Sequence, residues 1–68
     1  MIKTYKEEDG LWQVYNSKTG KVAYIVKGED YFMGEVSYFY RVDVNGETKS
    51  TLIDNFQTAK KIAYSLVK

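Results

Sequence analysis

Cysteine, histidine and proline are all missing from this chain of 68 residues. Without cysteine there is no disulfide framework and no thiolate chemistry. Without histidine, zinc sites of the Cys/His kind are excluded, and so is any triad or general base that needs an imidazole. Without proline there is no cis-Pro turn and no proline kink. Long apolar runs are missing too, so no stretch approaches the length of a membrane-spanning helix. The first ten residues, MIKTYKEEDG, lack the apolar stretch of a signal peptide. A cytoplasmic location is therefore expected, with no membrane partner.

What is present is apolar and aromatic. A chain that is 44% hydrophobic and 16% aromatic is too apolar for a disordered segment. Its length allows one domain, residues 1–68. A chain this short buries about 60% of the surface that its unfolded form exposes, so its stability is modest. Ten basic and nine acidic residues give a net charge of +1, which argues neither for nor against nucleic acid. The distribution is less even. Residues 1–27 sum to +2, residues 28–47 to −4 and residues 48–68 to +3. The middle is acidic and the ends are basic.

Periodicity organises the chain as α+β: a four-stranded antiparallel meander followed by one C-terminal helix, ββββα. Leu11 to Asn16 and Val22 to Lys27 are rich in β-formers and flank Ser17-Lys18-Thr19-Gly20, a hairpin signal. Val36 to Val44 alternates most cleanly, and Asn45-Gly46 is a strong type I′ turn signal leading into Glu47 to Ile53. The strands are expected at 11–16, 21–27, 36–44 and 47–53. Ile2 to Tyr5 has the character of a short edge strand, closed by a turn at Glu7-Glu8-Asp9-Gly10. Residues 28–35 read either as a loop or as the start of a long strand bent at Gly34. From Asp54 the period becomes helical, with Phe56, Ala59, Ile62, Ala63, Leu66 and Val67 on one stripe, predicting a helix over 55–67. Asp54 or Asn55 is its expected N-cap, Gln57 takes the capping-box position if Asp54 is the cap, and Lys68 suits the last turn.

A type I turn with Gly20 in the left-handed region would pair Ser17 with Lys21. That register sets Trp12, Val14, Val22, Tyr24 and Val26 on one face, and Leu11, Gln13, Tyr15, Ala23, Ile25 and Lys27 on the other. In the second hairpin the Asn45-Gly46 turn sets Tyr40 opposite Thr51 and Tyr38 opposite Ile53. The first face, joined by Tyr38, Tyr40 and the valines of 36–44, has the larger apolar content and is expected beneath the helix. Trp12, Tyr40 and Leu66 are expected to pack together there.

The stretch Phe56-Gln57-Thr58-Ala59-Lys60-Lys61-Ile62-Ala63 resembles the F-x-T-x-x-x-A-A segment that enters the helix in small sheet-plus-helix DNA-binding domains of the plant ethylene-response type and some integrase N-terminal domains. It covers under a fifth of the chain and has Ile62 where the pattern has Ala. The order ββββα is also similar to the single-strand-binding domain of positive-cofactor-type transcriptional coactivators. Those resemblances imply nucleic-acid binding through the sheet, although the DNA-binding families named read DNA with a strongly basic sheet, which this one is not.

Catalytic chemistry has little to draw on. Ser17, Ser37, Ser50 and Ser65 have no imidazole to activate them. The carboxylates of Glu7-Glu8-Asp9 and Glu29-Asp30 fall in expected turns. Asp43-Val44-Asn45-Gly46-Glu47 is too short for a calcium loop, and no Gly-rich phosphate cradle exists. No enzyme activity, metal or cofactor is expected. The informative feature is apolar surface without cover. One helix shields one face of a sheet, which leaves Leu11, Tyr15, Ile25, Phe39 and Leu52 uncovered on the other, and such patches mark interaction sites. The expected partner is a second copy of the chain or another protein. The alternative is unpaired nucleic acid, stacked on Tyr15 and Phe39 with Lys27 and Arg41 on phosphates. A second candidate is Tyr31-Phe32-Met33. As a strand it would bury Phe32 and leave Tyr31 and Met33 on the uncovered face. As a loop it would form an apolar tip rimmed by Glu29, Asp30 and Glu35, suited to a basic-rimmed pocket. A third, the helix edge of Lys60, Lys61, Tyr64 and Lys68, reads as a solvated face.

Overall fold

The computed structural model describes residues 1–68. Its elements are β1 (Ile2–Glu8), β2 (Leu11–Asn16), β3 (Val22–Phe32), β4 (Glu35–Val44), β5 (Glu47–Ile53) and α1 (Phe56–Leu66). The strands form one antiparallel sheet in the order β1-β2-β3-β4-β5, and the helix lies on one face of it. The α+β class with a C-terminal helix therefore holds, with five strands instead of four. The N-terminal segment is a full edge strand: Ile2 pairs with Asn16 and Lys6 with Trp12. A register shift between Lys6 and Glu8 and the left-handed Gly10 (φ +80°) then turn the chain into β2. No helix is long and apolar enough to cross a membrane.

The pairing of β2 with β3 differs by one residue from the expected register. Asn16 pairs with Lys21 around a four-residue loop, through Asn16 N–H to the Lys21 carbonyl (3.0 Å) and Gly20 N–H to the Asn16 carbonyl (2.7 Å). Val14 then lies opposite Ala23, and Trp12 opposite Ile25. Because side chains alternate along a strand, this slip exchanges the two faces of β3. Ala23 and Ile25 enter the core, each fully buried. Val22, Tyr24 and Val26 turn to the uncovered face, the reverse of the expectation. Ile25 is thus a core residue and no part of an interaction surface. Lys27 moves to the helix side as well, with its Nζ 4.4 Å from the centre of the Tyr38 ring.

The β4–β5 hairpin turns at Asn45-Gly46 with φ of +53° and +79°, as a type I′ turn requires. Two register shifts along β5 follow, so Tyr40 faces Ile53 and not Thr51. Leu52 stands beside the second shift in the left-handed region (φ +57°) with its side chain in solvent, while Ile53 is buried.

Between sheet and helix lie Val14, Ala23, Ile25, Val42, Ile53, Ala59, Ala63 and Val67. Alanines at 23, 59 and 63 let the helix approach the sheet closely. One end of this layer is closed by an aromatic cluster, in which Phe56 lies 4.8 Å from Trp12 and 5.7 Å from Tyr40 between ring centres. Phe56 takes the place expected for Leu66, which packs near the other end. Asn55 is the N-cap, its Oδ1 accepting from Thr58 N–H at 2.8 Å. With the cap there, Thr58 and not Gln57 holds the third helical position. The helix closes at Leu66, so Lys68 lies beyond its last turn.

The helix C-terminus is held by the sheet. Asn16, the one buried polar residue, donates from Nδ2 to the Val67 carbonyl at 2.8 Å and accepts the Lys18 N–H at Oδ1 (3.0 Å). Thr19 Oγ1 donates to the same carbonyl at 3.1 Å. One side chain thereby satisfies a helix-end carbonyl and shapes the β2–β3 loop. Asn16→Ala is expected to lower unfolding free energy by about 1–3 kcal/mol, since it strips partners from a buried carbonyl and a loop amide. Asn16→Asp cannot donate to Val67 and should cost at least as much at neutral pH. Urea denaturation checks both, and an Asn16→Ala midpoint equal to the native one would contradict this role.

Candidate interaction surface

The sheet face away from the helix has no covering element. The pairing brings its side chains into cross-strand rows. Lys3, Tyr15 and Val22 form one row, Tyr5, Gln13, Tyr24 and Asp43 the next, and Glu8, Leu11, Val26 and Arg41 a third. Phe39 closes the series, directly opposite Gly28. Its ring occupies the space above that glycine: a Cβ there would lie 2.6 Å from Phe39 Cζ. Glycine at 28 therefore lets Phe39 lie flat against the backbone, an aromatic covering a strand glycine. Tyr5 and Tyr24 are exposed, whereas Leu11, Tyr15, Val22, Val26, Phe39 and Arg41 are half-buried by one another.

Of the expected uncovered residues, Leu11, Tyr15, Phe39 and Arg41 lie on this face, and Ile25 does not. Leu52 is exposed at the bulged β5 edge. Val22, Tyr24 and Val26 join the face unexpectedly, which makes it more apolar than the sequence pattern suggested. No local signal separates a three-residue from a four-residue loop after Asn16, because β3 is apolar on both faces.

Beyond the helix, β3 and β4 continue as a two-stranded arm. Strand β2 ends opposite Val26 and β5 opposite Tyr40, so the pairs from Gly28–Phe39 to Phe32–Glu35 have no further strand on either flank. This resolves residues 28–35 as strand and turn, with Met33-Gly34 at the tip. Phe32 is not buried, being 74% exposed, and Tyr31 lies on the helix side rather than the uncovered face. Tyr31, Val36 and Tyr38 form a stripe on the helix side. Asp30, Phe32, Glu35 and Ser37 share the uncovered face with Phe39. The Tyr31 hydroxyl donates to Glu29 Oε2, and that bond, with the carboxylate charge, raises the phenol above its ordinary pKa. Residues 28–38 carry Glu29, Asp30 and Glu35 and no cation.

The tip departs from ordinary turn chemistry. Met33 has φ +50° and Gly34 φ +80°, the pair of positive values that favours Asn-Gly. A left-handed methionine 89% exposed to solvent contributes nothing to the core and strains the backbone.

The molecule has one cleft, of about 390 Å³, at the end opposite the arm; Thr19, Lys21, Val22, Val44, Asn45 and Leu66 help to line it. Lys21 is its one ionisable side chain. No group of three or more Asp or Glu side chains has metal-holding geometry. Arg41 is engaged on its own strand, with Nε 3.1 Å from Asp43 Oδ1. Comparison with protein-family models, curated proteins and solved structures found no match.

Met33→Asn is expected to stabilise the isolated fold by up to about 1 kcal/mol, because asparagine tolerates the left-handed region better. An unchanged or lower urea midpoint would show that the Met33 side chain supports the arm itself.

Proposed function

We propose that this chain is a non-catalytic interaction module that self-associates through the open face of its sheet. The observation that carries the reading is the contiguous set Leu11, Tyr15, Val22, Tyr24, Val26 and Phe39, on a face with no covering element. Apolar patches of this kind mark contact sites in soluble domains. The edges of the sheet favour the face as the point of contact. β1 carries Lys3, Lys6 and a bulge, and β5 carries two register shifts and the left-handed Leu52. Bulges and edge lysines discourage strand-to-strand pairing.

The nucleic-acid alternative finds Tyr15 and Phe39 on one face but three cross-strand rows apart, with Lys3 the one lysine paired beside Tyr15. Lys27 lies on the other side of the sheet, Arg41 is engaged by Asp43, and Asp30 and Glu35 share the face. A non-specific binder neutralises several phosphates along one groove. Catalysis is disfavoured because the cleft offers Lys21 without an acidic or basic partner.

Light scattering at micromolar protein should give twice the mass of the 7.9 kDa chain. Tyr24→Glu and Phe39→Asp should each return it towards a monomer while the circular dichroism spectrum stays native. A native monomer at every concentration would overturn the reading. A labelled oligo-dT should show no anisotropy change at micromolar protein and about 150 mM salt. A saturating shift that collapses as salt rises, and is lost in Phe39→Ala, would establish the alternative instead.

A further inference from the structure

Resting on the self-association reading, we infer that the second copy lies antiparallel on the first, with each acidic arm laid across the basic end of its partner. Three observations lead there. The first is charge placement along the strands. The arm presents Asp30 and Glu35 on the open face, whereas the far end of that face presents Lys3 beside Tyr15 and Val22, with Lys18 in the adjoining loop. Of the carboxylates between them, Asp43 already holds Arg41, and Glu8 stands at the β1 edge beside Leu11. Stacking two copies with strands parallel would set arm upon arm and bring like charges together. The antiparallel arrangement sets each arm over the end of the face that carries Lys3 and Lys18.

The second observation is register. The open-face residues of β3 are Val22, Tyr24, Val26, Gly28, Asp30 and Phe32, and the midpoint of the strand is Lys27. A two-fold axis level with that midpoint superposes the strand on its own reversed copy. Val22 then meets the partner's Phe32, Tyr24 meets the partner's Asp30, and Val26 meets the ring of the partner's Phe39 where it covers Gly28. Apolar groups face apolar groups, and a phenol faces a carboxylate that has no protein partner within its own chain. The exposed ring of Phe32 gains cover from the end of the sheet.

The third is length. Only five residues of β3, Val22 to Val26, pair with β2, roughly 17 Å at about 3.3 Å per residue. Including Gly28–Phe32 adds nearly as much again. A specific interface needs about 1,000 Å² or more of buried surface, and the arms supply much of the missing length.

Charge exchange tests this arrangement. One variant carries Asp30→Lys with Glu35→Lys, the other Lys3→Glu with Lys18→Glu. All four positions are exposed, and circular dichroism checks the fold of each variant. Sedimentation at low salt should show each variant alone dimerising roughly tenfold more weakly than the native chain, or worse, because like charges face each other. An equimolar mixture should recover association, since both arm-to-end contacts in the mixed dimer pair opposite charges. Native-like dimers in both variants, or weak variants that do not rescue one another, would overturn the antiparallel arm contact while leaving the open-face dimer standing. A native chain that stays monomeric would overturn both.

Discussion

The loop between Asn16 and Lys21 decides the structure on which everything else rests. With four residues between the paired positions, Ala23 and Ile25 face the helix. With three, Val22, Tyr24 and Val26 would face it. The choice follows from what the helix presents. Its buried stripe contains Ala59 and Ala63, so helix and sheet meet at short range over Ala23. A tyrosine in that layer would hold the helix away and open voids along Val14 and Val42, and packed interiors tolerate neither. Asn16 is indifferent to that choice, because it shares the covered face of β2 with Trp12 and Val14 in either register; there it binds the Val67 carbonyl and anchors the last turn of the helix.

That dependence explains what the sequence made legible and what it did not. The β4 strand was readable because Val36, Tyr38, Tyr40, Val42 and Val44 alternate with mostly polar neighbours. The helix stripe and the Asn45-Gly46 turn were readable for similarly local reasons. Strand β3 begins Val22-Ala23-Tyr24-Ile25-Val26, apolar on both faces, so alternation does not choose between them. Only the loop geometry and the small residues of the helix break the tie, and both are tertiary facts. The first strand reads short, Ile2 to Tyr5, because Glu7 and Glu8 look like part of the turn before Gly10, whereas in the fold it runs to Glu8. Its partner β2 supplies the backbone pairing that a solvated edge strand needs. The two shifts in β5 leave no local signature, and Leu52 adopts a conformation that a bulky residue rarely takes.

The candidate surface was legible in principle and misassigned in part. The expectation that one helix leaves one face uncovered depends on element count, so it survives the register change. Its membership depends on register and therefore changed: Ile25 went in, and Val22, Tyr24 and Val26 came out. The exchange replaces alanine, isoleucine and lysine on the open face with two valines and a tyrosine. A larger apolar area is left without cover than the pattern alone implied.

The arm follows from a mismatch of rises. Strand β3 and the helix have equal lengths of 11 residues. A strand advances about 3.3 Å per residue and a helix about 1.5 Å, so the helix spans less than half of the strand. The covered layer must end near Trp12, Tyr40 and Phe56, and whatever β3 and β4 do afterwards is unsupported by the helix. A two-stranded ribbon alone is marginal in water. Here cross-strand contacts steady it, with Lys27 over Tyr38, Tyr31 opposite Val36, and Phe39 over Gly28. Those contacts account for Tyr31, Val36 and Tyr38, but not for Phe32 and Met33. Phe32 points to the uncovered face and Met33 sits strained at the tip, where neither touches the core and smaller polar residues would serve the turn better. Packing within this domain therefore gives no reason for those two side chains, which stay 74% and 89% exposed.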